Sequence, residues 1–242
     1  MKAAFFDVGD TLVECWIAPE DMRVHALAAM LREFGERPWY ARLLEASIEP
    51  TDAADPLEQR TNDWYERWFA DAGIECDIET DRLRAAFAVP IDLVSTPVPG
   101  ALDAVRWCKA SGLAVVLVTN TLSRGDAEVL RDWQRMGLGD AIDGVVSSHS
   151  VGWRKPHPAM FERALGIAGA RPQEAFMVGD NLEADIAGAR QLGMRAIWRR
   201  VGEAEESASI TPDATISDLT ELPDVVRPWL AATRRDAVPT PR

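Results

Sequence analysis

The sequence predicts an α/β fold: a parallel sheet with helices between its strands, carrying an all-helical segment inserted after the first strand. Three observations predict it. Short, almost wholly apolar runs recur along the chain; from the second run onward they alternate with longer stretches of helical spacing; and the long span from Glu14 to Ser95 holds helical patterns but no strand pattern. Apolar runs without polar alternation belong to strands buried on both faces, as parallel strands are. Strand, helix, strand in repetition makes the parallel order the simplest arrangement.

The first run is Ala3 to Val8, and the later ones are Leu113 to Val118, Gly144 to Val146, Ala175 to Val178, Arg195 to Trp198 and Ala214 to Ile216. Between them, apolar residues three and four apart predict helices over Ala101 to Lys109, Gly125 to Met136, Pro158 to Ala168 and Glu183 to Leu192. Within the insertion, helical stretches lie near Pro19 to Glu36, Pro38 to Ile48, Pro56 to Ala72 and Thr80 to Ala88. A structureless loop of that length would be unusual in a compact domain, so a helical subdomain is expected there. Its exit, Ser95-Thr96-Pro97-Val98-Pro99-Gly100, is stiffened by two prolines. The division expected is residues 1–13 and 96–232 for the α/β core, 14–95 for the helical insertion and 233–242, with Pro239 and Pro241, for a disordered tail.

Composition narrows the function. With 47% hydrophobic and 27% charged residues the chain is of ordinary globular make-up, which excludes disordered and fibrous classes. Its formal net charge of −13 repels nucleic-acid phosphates and anionic membrane, so neither is expected as a partner. No apolar run approaches the roughly 18 to 20 residues of a membrane helix, and Asp7 interrupts the N-terminal run too early for a signal-peptide core. A cytoplasmic protein, monomer or homodimer, is the expectation. Cys15, Cys76 and Cys108 form no C-x-x-C pair, so neither a disulfide framework nor a zinc site is indicated.

In an open parallel sheet, ligands collect at the carboxyl ends of the strands, so the residues after each apolar run carry the information. The first run is followed by Asp7-Val8-Gly9-Asp10-Thr11 and the second by Thr119-Asn120. The fourth leads into Gly179-Asp180-Asn181 with Asp185 five residues on, and Arg154-Lys155-Pro156 precedes the helix before it. Taken singly these are helix caps, turn formers and a surface lysine. Together, three carboxylates, a hydroxyl and an ammonium fall at one sheet edge, a set suited to phosphoryl transfer. Grouped carboxylates repel one another unless a hard cation such as Mg²⁺ neutralises them.

These segments, in this order and strand context, resemble the four motifs of the haloacid dehalogenase-like hydrolase superfamily, in the subgroup whose helical cap is inserted after the first motif. The resemblance covers Ala3 to about Leu222 and implies a Rossmann-like core, an Mg²⁺ cofactor and a small phosphorylated substrate. It places Asp7 at the family's nucleophile, Thr119 at its phosphate-binding hydroxyl with Asn120 beside it, and Lys155 at its phosphate-binding cation. Asp180 and Asp185 take the metal positions with Asp7, and the Gly9 carbonyl supplies a further metal contact. Phosphatases of the superfamily usually read Asp-x-Asp-Gly-Thr, where the second Asp serves as acid and base. Here that position is Gly9, and Asp10 stands where the Gly would be. Asp10 is the substitute acid/base if the turn can redirect it; Gly9→Asp alone is not expected to restore the acid/base, because Asp10 would then crowd the turn, whereas Gly9→Asp with Asp10→Gly restores the family pattern.

Two other readings compete. A 2-haloacid dehalogenase has a similar fold and needs no metal, but Asp180 would be out of place there. A catalytically weak relative retained for binding would explain Gly9, but not the remaining motif residues. Trp64, Tyr65, Trp68 and Phe69 recur at helical spacing and are read first as packing between helices. The three histidines, His25, His149 and His157, lack metal-ligand spacing, and the Glu203, Glu205, Glu206 cluster is read as a solvated loop.

Overall fold

The computed structural model describes residues 1–15, 19–45, 62–121, 123–202 and 209–236. Its strands are β1 (Ala3–Phe6), β2 (Val13–Cys15), β3 (Ser95–Pro97), β4 (Ala114–Thr119), β5 (Gly144–Ser147), β6 (Ala175–Gly179), β7 (Arg195–Arg199) and β8 (Ala214–Ile216). Six of them form one parallel sheet in the order β5-β4-β1-β6-β7-β8. The apolar runs hide a period of two that splits between two cores. Ala4, Phe6, Val115, Leu117, Phe176 and Val178 face one side, while Ala3, Phe5, Val116, Val118, Ala175 and Met177 face the other.

Helices α5 (Ala101–Ala110), α6 (Asp126–Arg135) and α10 (Leu222–Asp236) cover the first face, and α8 (Pro158–Ala168) and α9 (Gly188–Gln191) the second. A short helix, α7 (Ser148–Val151), follows β5. Full burial of Phe5, Phe6, Phe161 and Phe176 stabilises the layers by about 1.5–3 kcal/mol each. With both faces covered, the sheet leaves only its edges for chemistry.

Between β2 and β3 lie α1 (Pro19–Phe34), α2 (Tyr40–Glu45), α3 (Asn62–Asp71) and α4 (Thr80–Phe87). They hold a core of their own, built on Met30, Trp39, Tyr40, Leu43, Tyr65, Trp68, Phe69 and Leu83. Trp68 stacks on Phe69 with ring centroids 5.4 Å apart, so the aromatic repeat of α3 serves helix packing. The Trp64 side chain, the stretches 46–61 and 203–208 and the end of the tail lie outside the described residues.

The structure differs from the sequence expectation in three places. Val13–Cys15 and Ser95–Pro97 pair antiparallel as the two stems of the insertion; three residues are too few to show a period of two. Second, α10 reaches Asp236, so residues 233–236, expected in the tail, are helical. Third, the helix expected over Glu183 to Leu192 opens as a π-helical turn, Leu182–Ala187, before α9.

The exit from the insertion is fastened to the core. Arg124, just before α6, donates to the Ala88 carbonyl at 2.7 Å and pairs with the buried Asp132. Asp132 accepts the Ile91 N–H at 3.1 Å, and Arg135 forms a two-pronged pair with Asp92. From α4, Arg84 donates to the Ser123 carbonyl at 2.8 Å, in the loop that follows Thr119 and Asn120.

Candidate active site

The central strand β1 delivers Asp7. Its N–H donates to the Val178 carbonyl at 2.9 Å, extending the ladder by one residue and fixing the carboxylate between the ends of β4 and β6. The chain then turns sharply, because the Val8 carbonyl accepts from Thr11, Leu12 and Val13 together. This turn ends the strand at Phe6, although the apolar run continues to Val8. Asp10 carries the strain of it, with φ +50 in the left-handed region that glycine favours and that Asp tolerates.

Four charged groups converge at this edge. The Lys155 ammonium donates to Asp7 Oδ1 at 2.5 Å and to Asp185 Oδ1 at 2.6 Å. Asp180 joins them: Asp7, Asp180 and Asp185 each offer an oxygen within 4.8 Å of the others. The Thr11 hydroxyl bridges two of these carboxylates, 3.0 Å from Asp180 Oδ1 and 3.3 Å from Asp7 Oδ2. Asp185 has both oxygens occupied, since its Oδ2 accepts the Asn181 N–H at 3.1 Å. The π-helical turn accounts for this, as Asp185 and Ile186 both donate backbone N–H groups to the Asn181 carbonyl and the widened turn folds Asp185 back onto it.

Three carboxylates against one ammonium leave a buried excess of negative charge. Burial, with the charge of Asp7 added, pushes Asp180 up to about 6. Burial likewise raises Asp185 to about 7 against the opposing pull of Lys155. Burial works to lower the Lys155 ammonium, but Asp185 and Asp7 outweigh it and hold it above its ordinary value. An oxygen-lined, over-anionic cluster fits a hard divalent cation such as Mg²⁺.

Of the residues singled out by sequence, Asp7, Lys155, Asp180 and Asp185 are brought into contact or near-contact. Asn120 is brought to the backbone of Lys155, accepting its N–H at 2.8 Å and donating to its carbonyl at 3.3 Å. Thr119 ends β4 at the same edge, buried, without a hydrogen bond to the cluster. Gly9 and Asp10 lie on the exposed side of the turn, and the Asp10 carboxylate has no hydrogen bond among the described residues. Gly9 lies outside the left-handed region and a Cβ there meets nothing within 4 Å, so the backbone at this position has room for a side chain to start.

Three contributors escaped the sequence reading. Thr11 was read only as part of a motif. Arg199 ends β7 and its guanidinium donates to the Asp10 carbonyl, a residue that the strand-end rule, applied to that run, points to directly. Gly179 is required by a close approach: a Cβ there would lie 2.2–2.4 Å from three atoms of Asp185. Gly179→Ala is therefore expected to destabilise the fold by about 1–3 kcal/mol through overpacking against Asp185. Thermal melts check it; an unchanged melting temperature would contradict the close fit.

The chain is similar to known proteins along most of its length. A glyceraldehyde 3-phosphate phosphatase of Pyrococcus furiosus is 29% identical over 93% of this chain and 92% of its own. A phosphoserine phosphatase of Thermus thermophilus is 32% identical over 92% and 98%. Among solved structures, a 2-haloacid dehalogenase from Pseudomonas syringae superposes with a TM-score of 0.64 at 28% identity, covering 95% of this chain and 99% of that one. With residues 1–193 matching the family as a whole, the chain belongs to the haloacid dehalogenase-like hydrolases.

Proposed function

We propose that this hydrolase removes the phosphoryl group from a small phosphorylated metabolite, with Asp7 as nucleophile and Mg²⁺ as cofactor. The observation that carries the reading is the Lys155 ammonium seated between Asp7 and Asp185 with Asp180 alongside. A phosphoryl dianion needs cationic groups beside the attacking carboxylate, and the two named phosphatase relatives support that substrate class.

In this reading Asp7 attacks phosphorus, the new O–P bond forming as the bond to the leaving oxygen breaks, and the leaving oxygen takes up a proton from solvent. Water then attacks the aspartyl-phosphate at phosphorus, giving its proton to solvent as phosphate leaves and the Asp7 carboxylate is restored. Thr119 and Lys155 hold the non-bridging oxygens. Asp7, Asp180 and the Gly9 carbonyl are the groups that would hold Mg²⁺; Asp185, its oxygens engaged by Lys155 and Asn181, stands behind them. When bound, the cation screens the charge between carboxylate and phosphoryl group. Residues 14–95 act as the cap over this edge and 1–13 with 96–232 as the core; closure of the cap excludes water from the reacting centre.

Likeness to the Pseudomonas syringae enzyme supports a second reading, hydrolytic removal of halide from a 2-haloacid. Such a reaction has no phosphoryl charge to neutralise, and the surplus carboxylate Asp180 would then oppose the nucleophile without compensation. One panel separates the two. Phosphate release from sugar phosphates, phosphoserine, nucleotides, phosphoglycolate and acyl phosphates is expected in Mg²⁺ and lost in excess chelator. Chelator-insensitive chloride release from 2-chloropropionate, with no phosphate released from any ester, would overturn the phosphohydrolase reading.

A further inference from the structure

Asn120 follows β4 directly, and its amide is committed to one residue far along the chain. Its Oδ1 accepts the Lys155 N–H at 2.8 Å and its Nδ2 donates to the Lys155 carbonyl at 3.3 Å. This is the pairing a neighbouring strand would give, supplied by a side chain to a segment that belongs to no sheet ladder. Lys155 needs such support. Its residue is 4% exposed, and its flexible four-carbon stem must end within hydrogen-bond distance of Asp7 and Asp185 at once. A long side chain launched from a mobile backbone loses that register, because its own rotamer freedom of about 2 kcal/mol opposes any single placement.

We propose that Asn120 is a positioning residue for Lys155: by fixing the Lys155 backbone it seats the ammonium between Asp7 and Asp185, and so sets how the site divides its affinity between anion and cation. This rests on the phosphohydrolase reading above. A seated ammonium strengthens binding of a phosphate-like anion and weakens binding of a second cation at the same carboxylates. Loosening it moves the two affinities in opposite directions. Had Asn120 instead been a phosphate ligand, its loss would weaken the anion and leave the cation unchanged.

The test uses the full-length protein, orthovanadate in saturating Mg²⁺ as the anion probe and Mg²⁺ alone as the cation probe, both by calorimetry. Asn120→Ala is expected to weaken vanadate and lower turnover about 10- to 100-fold, the range for a displaced catalytic group, while Mg²⁺ alone binds more tightly; an unchanged Mg²⁺ affinity would overturn the proposal. In a Lys155→Met background the same substitution should have no further effect on vanadate. Asn120→Asp, which keeps the acceptor for the Lys155 N–H, should recover part of the loss. An equal loss of vanadate affinity with and without Lys155 would overturn the proposal, as would parallel weakening of vanadate and Mg²⁺ by Asn120→Ala. Should Lys155→Met fail to fold, the opposite movement of the two affinities in Asn120→Ala decides alone. Failure of the underlying reading looks different: the unaltered protein would then bind no vanadate and release no phosphate.

Discussion

Asp7→Asn is expected to abolish phosphate release, by at least about 10⁴-fold, because an amide oxygen cannot form the covalent intermediate and loss of a nucleophile is among the largest single effects in enzymes. The fold should survive it. Removing one partner of a buried ion pair ordinarily costs about 3–5 kcal/mol, because a charge is left uncompensated. Here the ammonium keeps Asp185 at 2.6 Å, and the group lost is one of three crowded carboxylates, whose charge was raising its neighbour Asp180. Relief of repulsion therefore offsets the lost pair, and the melting temperature without metal should stay within a few degrees of the parent. What should fall is the stabilisation by Mg²⁺, since one of the groups proposed to hold it has lost its charge. Melting curves and Mg²⁺ titration of the variant check both parts; a variant that retains turnover would remove Asp7 from the nucleophile position.

Gly9→Asp should have the second largest effect, in the opposite direction. A leaving alkoxide needs a proton, and the groups touching Asp7 are poor donors: Lys155 is held above its ordinary range by two carboxylates, and the Thr11 hydroxyl lies between two acceptors. The parent should therefore favour nitrophenyl and acyl phosphates, whose leaving groups depart unprotonated, over alkyl phosphates. General acid-base help is worth about 10² to 10⁴ in rate, so a carboxyl at position 9 should raise alkyl phosphate turnover by about one to three orders of magnitude. The backbone at Gly9 lies outside the left-handed region and a Cβ there meets nothing within 4 Å, so the substitution starts without a clash. Adding Asp10→Gly should stabilise the turn further by about 1 kcal/mol, because Asp10 holds φ +50. Asp10→Asn serves as the control: a large loss confined to alkyl phosphates would assign the acid/base role to Asp10, on the exposed face of the turn.

How much of this was legible beforehand follows from which atoms carry each contact. The strands were readable because parallel strands are apolar on both faces, so Ala3 to Phe6 and Ala175 to Val178 stand out without regard to neighbours. Asp7, Lys155, Asp180 and Asp185 were readable because, though each is ordinary taken singly, together they occur in family order and strand context. Contacts to backbone were not readable. The partner of Asn120 is the peptide of Lys155, thirty-five residues on; any residue at 155 other than proline would present the same N–H and carbonyl. Gly179 is fixed by the approach of Asp185, and the π-helical turn that causes it has no pattern distinct from an ordinary helix start. The stems of the insertion, three residues each, are paired through the fold rather than through their side chains.

The covalent intermediate offers the most direct test. Parent protein mixed with acetyl phosphate carrying a radioactive phosphoryl group in Mg²⁺, and quenched in acid within a turnover, should retain label on a peptide containing Asp7. The label should be released by hydroxylamine, as acyl phosphates are, and should be absent in chelator and in Asp7→Asn. With glycine at position 9 the attacking water also lacks a base, so the labelled species should accumulate rather than pass unseen. Phosphate release at full rate with no labelled protein at any time, or equal labelling of Asp7→Asn, would contradict the account.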